Sequence, residues 1–154
     1  MMIRSAGLLL HRRTAGGLEV LIAHMGGPFW ARKDEGAWSI PKGEFDPETE
    51  SAMAAAVREF REELGVDPPA GPYDELGTWA YASGKRVTVF AVDGAEFAAS
   101  RFAFGTFEME WPPRSGRRQE FPEVDRAEWM TVDAARPRLV KGQRPALDAL
   151  ESFL

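Results

Sequence analysis

The chain contains no cysteine. Neither a disulfide framework nor a thiolate-held metal or redox site can therefore be built from it. Histidine is almost as scarce. His11 and His24 are the two present, and they lie far apart without the spacing of a metal-binding pair, so both read as structural or surface residues. Long apolar runs are also missing. The first, Ala6 to Leu10, is followed at once by His11-Arg12-Arg13. It is too short for a signal-peptide core, and no stretch approaches the roughly 20 residues needed to cross a bilayer as a helix. The expected location is the cytoplasm. Nor is there an excess of positive charge: 19 Lys and Arg stand against 24 Asp and Glu, for a net charge of −5. That balance argues against sequence-independent binding of extended nucleic acid, which needs a positive field. It leaves open a small phosphorylated ligand held by a local patch. Internal repeats and low-complexity tracts are absent.

What is present is ordinary globular composition, with 44% hydrophobic and 28% charged residues over 154 positions. Such a length fits one domain, residues 1–154, with a sizeable core. Residues 3–12 and 18–24 read as strands joined through Thr14-Ala15-Gly16-Gly17. Residues 25–36 form a loop, 38–40 a short strand, and Pro41-Lys42-Gly43 a turn. A second hairpin spans 75–83 and 86–92 around Gly84-Lys85. Phe107 to Trp111 is a shorter strand, 112–118 a loop by its Pro and Gly content, and 127–130 a closing strand. Residues 144–153 form a terminal helix with Leu147, Leu150 and Leu154 as its apolar positions. Many strands with few helices point to an α/β arrangement around a mixed sheet.

The most informative segment runs from Gly43 to Val66. Glu59, Glu62 and Glu63 lie at i, i+3 and i+4, which share one face of a helix. Like charges so spaced destabilise a helix by roughly a few tenths of a kcal/mol per pair, and a hard divalent cation would offset that. Taken alone, Glu59-Phe60-Arg61-Glu62-Glu63 could equally be a solvated acidic face. Its surroundings favour a site. Met53, Val57, Phe60 and Leu64 form an apolar stripe, and the acids are rotated roughly 100–140° from it at about 100° per residue. They should lie at the edge of the buried face, beside a cleft. Thr49 or Ser51 caps the helix, Gly65 stops it, and its span is about 50–64.

These residues resemble the signature of the Nudix hydrolases: Gly43, Glu50, Arg58-Glu59, Glu62-Glu63, Gly65 and the apolar Val66. Two departures stand out. Six residues, not five, separate Gly43 from Glu50, an insertion around Pro47-Glu48-Thr49, and Phe60 replaces a smaller aliphatic residue. Trp38-Ser39-Ile40-Pro41-Lys42-Gly43 is similar to the lead-in of the family's dinucleoside-polyphosphate branch. Residues 5–10 look like its first strand, and 123–129 with 131–135 like its closing strand and short helix. The resemblance implies an α/β/α sandwich around a mixed sheet and a Mg²⁺ cofactor, with Mn²⁺ as the alternative.

Diphosphate hydrolysis needs neutralised phosphate oxygens, a nucleophilic water and a stabilised leaving group. Glu59 and Glu63 are the expected direct metal ligands, with Glu62 a ligand or an acceptor for metal-bound water. The resemblance adds the carbonyl of Gly43. Arg58 is expected to orient a carboxylate, and Glu50 to hold the loop onto the helix. Glu120 is the first candidate for the remaining ligand or general base and Glu123 the second, both in a loop. Lys42 matches a phosphate-binding lysine of that branch. Tyr81, fifteen residues past Val66, lies close to where its dinucleoside-polyphosphate hydrolases carry a tyrosine. Arg118, clustered with Arg114 and Arg117, is a candidate second phosphate clamp. Trp30, Trp79 and Phe121 are candidates to stack a base. A proline used by ADP-ribose hydrolases is absent at positions 80–83. The expected activity is hydrolysis of diphosphate linkages in nucleotides, with dinucleoside polyphosphates such as diadenosine tetraphosphate favoured. Nucleoside triphosphates and RNA 5′ ends are the alternatives, and a non-catalytic nucleotide sensor is the rival of another class. A homodimer is left open.

Overall fold

The computed structural model describes residues 2–98 and 101–154. The fold is an α/β/α sandwich around a mixed sheet. Its centre is β1 (Arg4–Thr14), whose residues from Ala6 to Leu10 are buried on both faces. That explains why this segment reads as a continuous apolar run rather than an alternating one. β2 (Gly17–Met25) returns antiparallel to β1, and β3 (Trp38–Ser39) pairs with β2. β4 (Lys42–Phe45) lies antiparallel along the start of β1, with Gly43 opposite Ala6. β5 (Asp74–Ala80) and β6 (Arg86–Asp93) form the second hairpin, and β6 runs parallel to β1. The main path is β3-β2-β1-β6-β5, with β9 (Val124–Thr131) added to β2. β7 (Thr106–Glu110) and β8 (Arg118–Pro122) make a separate two-stranded sheet.

The pleat sends alternate residues to opposite layers. Leu9, Val20, Ile22, Val87 and Val89 pack with Val132 and Ala135 of α2 (Val132–Arg138) and with Leu147 and Leu150 of α3 (Arg144–Phe153). Leu8, Leu10, Leu21 and Phe90 pack on the other face with Ala56, Phe60 and Leu64 of α1 (Ala52–Leu64). α1 is capped by Ser51, whose Oγ accepts the Ala54 N–H at 3.1 Å. It ends at Gly65, with φ of 72°, whose N–H donates to Arg61 O.

Five expectations change. α1 starts at Ala52 rather than Glu50, because 46–49 form a turn: the N–H groups of Thr49 and Glu50 both donate to Asp46 O, and that of Glu48 to Asp46 Oδ1. This turn takes up the extra residue between Gly43 and Glu50. Met53 is 42% exposed in the first helical turn, and Ala55 and Ala56 take the buried face, being small enough to let the helix lie close to the sheet. Lys42-Gly43 is strand rather than turn, since β1 supplies its partners. Residues 118–122 are strand rather than loop, because Phe121 pairs with Phe107 across the hairpin. Leu154 is exposed, whereas Leu147 and Leu150 are buried. No helix among the described residues is long and apolar enough to cross a membrane.

Candidate active site

Arg58 organises the acids of α1. Its Nε and Nη2 donate to the two oxygens of Glu50, each at 2.8 Å. Its Nη1 donates to Glu59 Oε1 at 2.8 Å and Glu62 Oε2 at 3.1 Å. The loop before the helix is thereby tied to the helix by a fork-to-fork ion pair, a geometry lysine cannot make. The hydrogen bonds from Arg58 hold the Glu50 carboxyl below the usual carboxylate range. In return the carboxylates, Glu50 first, hold Arg58 more firmly charged than usual.

Glu59 and Glu63 point towards β4. The Glu59 carboxylate lies against Gly43 so closely that a Cβ there would sit 2.0 Å from Glu59 Cδ. Only glycine leaves room for that approach. Glu63 Oε2 accepts the backbone N–H of Lys42 at 3.0 Å. Burial pushes the Glu63 carboxyl up to about 7, against the pull of the Lys42 N–H, and the charges of Glu123 and Glu59 add to the rise. Burial raises Glu59 too, partly offset by Arg58. Glu62 stays outward, its side chain 59% exposed.

Glu123 stands at the junction of β8 and β9. Its N–H donates to Gly105 O at 2.7 Å, and its carbonyl accepts from Gly26 N–H at 2.9 Å. Its charge acts on both Glu59 and Glu63. Glu120 instead lies on β8, exposed and opposite Glu108, and is not among the charges that act on either acid. The structure thus brings Glu123, not Glu120, to the acid set. Arg118 pairs with Glu108 at 3.5 Å on the same hairpin. Trp30 and Trp79 pack partly buried against the core, and Phe121 lies beside Phe107. His24 is buried, with Nδ1 2.8 Å from Asp125 Oδ1 and Nε2 2.6 Å from Lys33 O, a structural tie.

Lys42 and Tyr81 come together. With Met25, Ser39, Val140 and Gln143 they line a recess of about 250 Å³. Gln143 was not singled out by the sequence: a lone glutamine before a helix carries no motif. Larger hollows of about 660 Å³ lie elsewhere, along 66–71 with 93–98 and along 2–4 with 44–48, and neither contains Glu59, Glu62 or Glu63. The smaller recess adjoins Lys42, whose N–H binds Glu63.

The donor set suits a hard divalent cation. The carboxylate oxygens of Glu59 and Glu63 are hard donors, the Gly43–Glu59 approach excludes a side chain, and a cation would offset the cost of ionising Glu63 in its buried position. Among the described residues no three acid or histidine side chains are already gathered as a metal cluster. Arg58 holds one oxygen each of Glu59 and Glu62.

Comparison with known proteins identifies the fold family. The model of the NUDIX domain family matches residues 1–150. An asymmetrical bis(5′-nucleosyl)-tetraphosphatase of Caenorhabditis elegans is 35% identical over 66 residues. That match covers 43% of this chain and 43% of the relative, so the chain spans less than half the length of the curated relative it matches. Among solved structures, a C. elegans Ap4A hydrolase in a binary complex superposes with a TM-score of 0.69 at 20% identity, covering 99% of this chain and 97% of that one. The NUDIX domain of Shewanella oneidensis NrtR, complexed with ADP ribose, superposes at 0.65 with 14% identity, over 99% and 88%.

Proposed function

The chain belongs to the NUDIX domain family, and from that premise we propose that it is a Mg²⁺-dependent pyrophosphohydrolase of nucleotides whose preferred substrates are dinucleoside polyphosphates. Residues 1–154 act as one domain in this reading. The observation that carries it is the joint arrangement of Glu59 against Gly43 and of Glu63 on the Lys42 N–H. It sets the acid pair beside a lysine that lines a recess. The partial match to the tetraphosphatase supports the choice of substrate class.

Glu59, Glu63, Glu62 and the Gly43 carbonyl would hold the metal, which when bound neutralises phosphate oxygens and lowers the pKa of a coordinated water. Arg58 keeps Glu59 and Glu62 oriented. Lys42 binds the phosphate chain from the recess side. A water oxygen attacks phosphorus, its proton passes to a carboxylate, and the bridging P–O bond breaks with its electron pair leaving on the departing phosphate. Glu123 is the better candidate than Glu120 for that carboxylate, since it already acts on Glu59 and Glu63.

The test is a panel of diadenosine tetraphosphate, nucleoside triphosphates, ADP-ribose and capped RNA, with Mg²⁺ and with Mn²⁺, products being separated by chromatography. Preference for the dinucleotide, with a nucleoside triphosphate among the products, is the expected result. Preference for triphosphates or capped RNA would move the substrate class. Nucleotide binding without turnover under either metal would favour a sensor domain.

A further inference from the structure

We infer that Gly142 and Gln143 are positioning residues that hold the Tyr81 hydroxyl as a proton donor towards a phosphate oxygen in the recess it shares with Lys42. The inference deepens the proposed hydrolase reading and rests on it for the identity of the anion.

Gln143 is fully buried in the short turn Lys141–Gln143 ahead of α3. Its Oε1 accepts the backbone N–H of Ile40 at 2.7 Å. Its Nε2 donates to Ser39 Oγ at 2.9 Å and to Tyr81 Oη at 3.0 Å. The Ile40 N–H can only donate, so it fixes which end of the amide is oxygen and which is NH₂. Tyr81 Oη must therefore accept from Gln143, and its own proton is left to point elsewhere. The Ser39 proton is taken by Ile40 O at 2.8 Å. Among the described residues no group accepts the proton of Tyr81.

The ring is fixed as firmly as the oxygen. A Cβ on Gly142 would lie 2.0 Å from Tyr81 Cδ1, so the phenol packs directly on the glycine backbone. The same Gln143 side chain pins Ile40, two residues ahead of Lys42, whose N–H binds Glu63. One buried amide thus sets both donors of the recess, the Tyr81 hydroxyl and the strand that carries Lys42. Met25 and Val140 supply apolar walls, in which a charge-assisted hydrogen bond is stronger than in water. Burial also raises the phenol above its usual value, which keeps it protonated and able to donate.

The inference is tested with Tyr81→Phe, Gln143→Leu, Gly142→Ala and the Tyr81→Phe/Gln143→Leu double variant. KM and kcat are measured on the best substrate of the panel, and inorganic pyrophosphate binding is measured by calorimetry with Mg²⁺. Each single change should raise KM roughly tenfold and lower kcat less, as expected for a lost ground-state contact to a charged group. The double variant should be worse than Tyr81→Phe alone, but by clearly less than the full effect of Gln143→Leu, because part of that effect runs through the hydroxyl and the rest through the strand that carries Lys42. Pyrophosphate affinity should follow the same pattern. If no panel member is hydrolysed but pyrophosphate binding keeps this non-additive pattern, the positioning role stands and the hydrolase reading falls. Additive effects, or a Tyr81→Phe variant with unchanged KM and pyrophosphate affinity, would overturn the inference. Gly142→Ala guards against a Gln143→Leu variant that fails to fold.

Discussion

Glu63 is both the most buried acid of the site and a proposed cation ligand. Burial holds its carboxyl at about 7 against an ordinary 4.5, so the folded protein binds this proton more tightly than the unfolded chain. The resulting stabilisation is complete below about pH 4.5 and is lost as pH rises through 7. Metal-free protein should therefore melt at a higher temperature at pH 5 than at pH 8, this group contributing on the order of 2 kcal/mol. Glu63→Gln should flatten that profile in thermal scans and abolish turnover at saturating Mg²⁺ while leaving the fold intact. Wild-type turnover in the variant would refute the ligand assignment. Gly43 gives an independent check. Gly43→Ala puts a methyl where the Glu59 carboxylate sits, and a shift of about 1 Å in a catalytic group is worth about a hundredfold in rate. Steady-state kinetics should show that loss, and circular dichroism should show an unchanged fold.

Between the acids and the sheet stands α1, whose two ends are set by different devices. Ser51→Ala removes the cap to Ala54 and should cost about 1 kcal/mol, with little effect on rate. Gly65→Ala should cost more, because φ is 72° and a Cβ would meet Ala103 O at 2.2 Å. Denaturant melts of both variants would rank them, and the reverse order would contradict the stop at Gly65. The stop at Gly65 was legible in the sequence and the cap was narrowed to Thr49 or Ser51, because short hydroxyl side chains favour helix starts and glycine a left-handed end. β1, β2, β5, β6 and α3 were legible for the same kind of reason, through apolar period and turn residues. β4 and β8 were not. Pro41-Lys42-Gly43 has the composition of a turn, and only the arrival of β1 alongside makes it a strand. Gln119-Glu120 lacks apolar alternation, and its pairing depends on the distant Phe107. Within the site, the Glu59–Glu63 face and Lys42 could be read from helical spacing and resemblance. The contrast between Glu120 and Glu123 could not, because it depends on where β8 gives way to β9.

For the molecule as a whole, a cation bound only by the folded chain must raise its melting temperature. At a hundredfold excess over its dissociation constant the gain is about 2.7 kcal/mol, or roughly 5–10 °C for a chain of this size. Differential scanning fluorimetry with Mg²⁺ and Mn²⁺ should show it, and Glu63→Gln should lose most of it; an equal rise in that variant would put the ion elsewhere. The sheet also divides the interior into two cores that lie on opposite faces. The segment from Ser39 to Gly43 is held from both: Gln143 grips it from the α3 layer, and Glu63 from the α1 layer. It works like the clasp of a two-leaved book. Loosening of either leaf unfastens the clasp before the pages come apart, so catalytic competence is bound to the alignment of the two layers more tightly than to the survival of either one.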